Sequence, residues 1–129
     1  MLTVLMQELY KEWELEAAPR QEIPGVYSIN LEEGLSLAIT SFGQGGICLS
    51  STIGLVGPSQ GEALFSHALH ANLFGQGTKG ALLGLNENGN LLTLSHIIDY
   101  DVNFKEFRDI VEDFINTTDF WRAESMKYL

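Results

Sequence analysis

Thiol chemistry has little to work with in this chain, because Cys48 is its single cysteine. An internal disulfide is therefore excluded, and a reducing compartment is expected. Cys48 sits in a strand-like run and reads as a small buried hydrophobe rather than a nucleophile. Basic side chains are scarce as well. Lys and Arg together number 7 against 17 Asp and Glu, for a formal net charge of -10. Such a chain cannot assemble the cationic patch that neutralises phosphates, so nucleic acid and anionic membranes are excluded as partners. No apolar run approaches the ~20 residues that a membrane-crossing helix requires. The opening MLTVLMQELYKEWELE lacks a basic start and a small-residue cleavage site, so a signal peptide is not expected and a cytoplasmic location is. No G-x-S-x-G occurs, so no nucleophile elbow is available.

What is present fits one globular domain over residues 1–129, with 45% hydrophobic and 19% charged residues. The stretch around which it is organised is PSQGEALFSHALHANLF, residues 58–74. Ser59 and Glu62 form a capping box at its start. Leu64, Phe65, Ala68, Leu69, Ala71, Leu73 and Phe74 cover more than one stripe, so the predicted helix is buried on two sides, the second against another protein molecule. Residues 2–16 predict a first helix, with Leu2, Leu5, Met6, Leu9, Tyr10 and Trp13 at helical spacing. Its stop is Ala17-Ala18-Pro19. Alternation predicts strands at Val26–Leu31, Leu35–Phe42 and Ile47–Val56. On the last, Ile47, Leu49, Ser51, Ile53 and Leu55 are expected on one face. Gly43 to Gly46 reads as a hairpin turn, because no helix follows it to bind a phosphate. Gly75 to Gly80 reads as a mobile loop. Ala81–Asn86 and Leu91–Ile98 form a hairpin through Asn88-Gly89. The last helix starts at an Asn103/Glu106 capping box and buries Phe104, Phe107, Ile110, Val111, Phe114 and Ile115. Trp121 is expected to fold back after the helix, and residues 122–129 to fray.

Candidate chemistry is thin. His67 and His70 share a helix face, but with His96 they are all the histidines, and no ligand-spaced partner joins them. Glu32-Glu33, Asp99 with Asp101, and Glu112-Asp113 are carboxylate pairs in turns or on an exposed helix face, where nothing desolvates them. No metal, cofactor or catalytic residue is expected, and the chain reads as an interaction protein.

Three segments then carry a resemblance: ALHANLF with Leu69 and Asn72, the hairpin ALLGLNENGNLLTLSHII, and FKEFRDIVEDFINTTDFW ending at Trp121. In this order and spacing they resemble the class I type III secretion chaperones, the Tir chaperone or CesT-like family, over residues 2–121. The resemblance implies an α+β fold, α-β-β-β-α-β-β-α, with an antiparallel twisted sheet packed with helices. It implies a cytoplasmic bacterial homodimer, or a heterodimer with a related chaperone. Such a dimer binds the extended N-terminal segment of a secreted effector and keeps it non-globular, with no nucleotide and no catalysis. Client binding is expected at Leu5, Leu9, Trp13, Ile29 and Leu37, and the dimer interface at Leu64, Phe65, Leu69 and Leu73. Two other readings stand beside it: an adaptor or regulatory subunit for a folded partner, and a small ligand-binding domain with its pocket between sheet and last helix.

Overall fold

The computed structural model describes residues 2–14, 21–23, 25–32, 35–43, 45–56, 66–67, 69–70, 80–86 and 88–127. Helix α1 spans Leu2–Glu12. It is shorter than its apolar pattern, because Glu14 takes a left-handed φ of 53° and turns the chain out of the helix. Strands β1 (Gln21–Ile23), β2 (Val26–Glu32), β3 (Leu35–Phe42), β4 (Gly46–Leu55), β5 (Leu82–Leu85) and β6 (Leu91–Ile98) precede helix α2, Phe104–Met126. All pairings are antiparallel, in the order β1-β2-β3-β4-β6-β5. Strand β1 was not expected. Three residues are too short to show a period, and pairing with β2 defines them.

Register sorts the two faces. Tyr27, Ile39 and Leu49 lie opposite one another across three strands, as do Ile29, Leu37, Ser51, Leu94 and Leu83 across five. These side chains are buried, together with Leu2, Leu5, Met6 and Leu9 of α1 and Phe107, Val111, Phe114 and Trp121 of α2. Both helices therefore cover one face of the sheet. The opposite face carries rows such as Val26, Thr40, Cys48 and Ile97, or Ser28, Ala38, Ser50, Ser95 and Leu82. None of these nine is charged.

Two expectations need correction. A β-bulge between Thr52 and Gly54 shifts the register of β4 against β6. Ile53 stays buried, but Leu55 leaves the core face and is 61% exposed. Gly54 now faces α2, where an added Cβ would lie 3.2 Å from Ser125 Oγ. Helix α2 also continues through Trp121 to Met126, so residues 122–126 are helical rather than frayed. Its interior contains no Gly or Pro to stop it. The capping box at its start is as expected: Asn103 Oδ1 accepts from Glu106 N at 2.8 Å, and Asn103 N donates to Glu106 Oε1 at 3.1 Å.

Candidate protein-interaction surfaces

The sequence placed client contacts on α1 and the sheet. The structure gives four of those five side chains another place. Leu5, Leu9, Ile29 and Leu37 are buried where α1 meets β2 and β3, and Leu9 has no exposed surface. Helical spacing identified the apolar stripe correctly, but the sheet of the same molecule covers it. Trp13, in the turn after α1, is only partly buried against the core. Val4, out of phase with the stripe, is 57% exposed. In the sequence, its signal is an apolar residue off the helical stripe.

Of the expected dimer residues, Leu64, Phe65 and Leu73 lie outside the described residues. Ser66, His67, Leu69 and His70 are helical, and Leu69 is 69% exposed. His67 faces the other way. Its ring lies 5.0 Å from that of Trp121, and its Nε2 is 3.5 Å from Glu124 Oε2. His70 Nδ1 is 3.0 Å from the Ser66 carbonyl, a local helix contact. Lys127 Nζ donates to Glu124 Oε1 at 2.7 Å and holds that carboxyl below its ordinary range. This helical segment thus has one side against the end of α2 and an apolar residue on its outside.

A third apolar surface lies on β5, the outermost of the described strands. Its sequence is Leu82-Leu83-Gly84-Leu85, and Leu82 and Leu85 are both exposed. With Leu55 and Ile97 it puts apolar surface at the β5 side of the sheet.

Polar features are few. A cavity of about 340 Å³ lies where the first turn of α1 meets Gly25 and the Gly43–Gly46 turn. The described residues lining it are uncharged, and the Thr3 and Tyr27 hydroxyls share a hydrogen bond of 2.9 Å in its wall. It is not the pocket between sheet and last helix that a small-ligand reading expected. Burial raises the Cys48 thiol and lowers the His96 imidazole relative to their ordinary values. Among the described residues no group of His, Cys, Asp and Glu converges as a metal site.

The model of the Tir chaperone protein (CesT) family matches residues 5–122. The chain belongs to this family. A CesT-family chaperone accounts for a domain of buried apolar layers with exposed apolar side chains such as Leu69, Leu82 and Leu85, and the family is one of chaperones rather than enzymes. A Chlamydia pneumoniae protein is 29% identical over 101 residues, covering 78% of this chain and 77% of its own. Among solved structures, the chaperone–effector complex of HopA1 and SchA matches at TM-score 0.72 and 14% identity, over 95% of this chain and 93% of that one. The Yersinia pestis type III secretion chaperone SycH, in complex with a stable fragment of YscM2, matches at TM-score 0.72 and 13% identity, over 94% and 99%. The same TM-score, at 14% identity over 98% and 92%, relates the fold to YbjN of E. coli, a candidate transcription regulator. At such identities these likenesses establish the architecture, and the family model establishes the family.

Proposed function

We propose that this CesT-family chaperone works as a dimer in the bacterial cytoplasm, where it binds the extended N-terminal segment of a secreted effector and keeps it non-globular until export. The observation that carries the reading is a small acidic domain whose helices cover one sheet face while Val4, Leu55, Leu69, Leu82, Leu85 and Ile97 stay exposed. Separated apolar edges suit a wrapped, extended chain better than one compact ligand. Such a client pays an ordering cost, so it needs a large contact surface. In this reading Val4 and Trp13 touch the client, while Leu5, Leu9, Ile29 and Leu37 form the packed floor that holds α1 in place. Leu69 reaches a second copy, with Leu64, Phe65 and Leu73 of the same predicted helix. No nucleotide, metal or nucleic acid takes part.

The test is co-expression with N-terminal fragments of secreted proteins encoded nearby. Expected is a stable complex whose client amides show no tertiary protection. Trp13→Asp is expected to weaken capture at least about tenfold while the fold is kept. Unchanged capture by that folded variant would remove Trp13 from the site. The second reading is an adaptor or regulatory subunit for a folded partner. Capture of a client that keeps its native protection pattern would decide for that reading.

A further inference from the structure

Of the four buried polar side chains among the described residues, Ser51 is on β4 and Thr117, Thr118 and Ser125 are on the C-terminal half of α2. The N-terminal half of α2 is held differently. Phe107, Val111 and Phe114 are buried there, with Phe104 and Ile110 packed against them. From Thr117 onward the buried apolar anchor is Trp121. Thr117 donates to Asp113 O, Thr118 to Phe114 O and Ser125 to Arg122 O, so the protons of these three hydroxyls stay satisfied by their own helix if it lifts. The pair that joins β4 to α2 is Ser51 Oγ with Thr118 Oγ1 at 2.9 Å. Gly54, brought round by the bulge, leaves a flat seat under Ser125. Arg122 Nη1 is shielded from solvent and meets no acceptor. A donor left in that state opposes docking, and water would satisfy it on release.

From this asymmetry we infer that the C-terminal half of α2, residues 117–126, is a strap that undocks from β4 as a unit while residues 104–114 stay in place. Release uncovers Ile53 and the seat of Trp121. It also breaks the contacts of Trp121 and Glu124 with His67, which tie the strap to the exposed helical segment that carries Leu69. The inference stands whether or not the chain holds an effector.

Native-state hydrogen exchange of the full chain tests it. Opening of a local unit appears as a set of amides that exchange together, well ahead of global unfolding. Amides of residues 117–126 are expected to exchange at least about 100-fold faster than those of 107–114 and β4. Trp121→Ala is expected to remove protection from 117–126 alone. Arg122→Met, which deletes the unpaired donor but keeps the apolar stem, is expected to slow the opening about tenfold. Exchange of all of α2 as one unit would overturn the strap, and so would Arg122→Met exchanging at the wild-type rate. If Trp121→Ala does not fold, the wild-type and Arg122→Met patterns decide alone.

Discussion

Thr118 shows how much one hydroxyl fixes. Its proton goes to Phe114 O at 2.8 Å, so it can only accept from Ser51, and Ser51 must be the donor of the pair. Thr118→Val would bury that donor without a partner, at a cost of about 1–3 kcal/mol. Replacing both groups, as in Ser51→Ala with Thr118→Val, should be nearer to neutral. A double-mutant cycle by denaturant unfolding measures the difference, and an additive pair of losses would mean that the hydroxyls do not depend on each other. His96 gives the corresponding statement for pH. Burial disfavours its charged form, so its value in the folded protein lies below that in the unfolded chain. The unfolded state then binds more protons, and stability falls as pH drops through about 6.5, levelling off below the folded-state value. Above that window His96 costs nothing. His96→Gln should flatten this part of the stability curve, and an unchanged slope between pH 7 and 5.5 would assign the effect to other groups.

At the scale of elements, the capping box at Asn103 and the Asn86–Asn90 turn were both legible because each is closed by near neighbours in sequence. Asn86 Oδ1 accepts from Asn90 N at 3.0 Å and Leu91 N at 2.9 Å, and Gly89 takes a positive φ of 70°. Asn103→Ala removes the acceptor for Glu106 N and should cost about 1 kcal/mol, read from the shift in denaturation midpoint at constant slope. Elements defined by distant partners were not legible. Strand β1 is defined by its pairing with β2, and the bulge at Ile53 is defined by the register of β4 against β6. Alternation alone therefore placed Leu55 in the core, where it is not. The α1 stripe failed in a related way. Periodicity says which face of a helix or strand is apolar, and only the assembled core says what covers it, so the pattern alone does not separate Leu5, Leu9, Ile29 and Leu37 as partner contacts from the same side chains as core. Trp121 does reach the core, but from within α2 rather than after it, because the helix runs on to Met126.

For the whole molecule, the proposed dimer sets two forces against each other. Each copy carries a net charge of -10, so two copies repel at long range. The surfaces offered for pairing are apolar, with Leu69 outermost among the described residues of its helical segment. Repulsion between exposed charges is screened over a Debye length of about 30 Å at 0.01 M salt and about 8 Å at 0.15 M, whereas apolar contact is indifferent to salt over that range. Sedimentation at both ionic strengths should therefore find the dimer, twice 14.3 kDa or 28.6 kDa, held several-fold more tightly at 0.15 M than at 0.01 M. A dimer loosened by salt would instead need ion pairs at its centre, and the helical segment with Leu69 would lose its place there. Leu69→Asp adds a further negative charge to each side of the same contact. It should convert the chain to a folded 14.3 kDa monomer at low salt first and at high salt only after dilution, and a variant that stays dimeric at both would move the interface to the β5 edge.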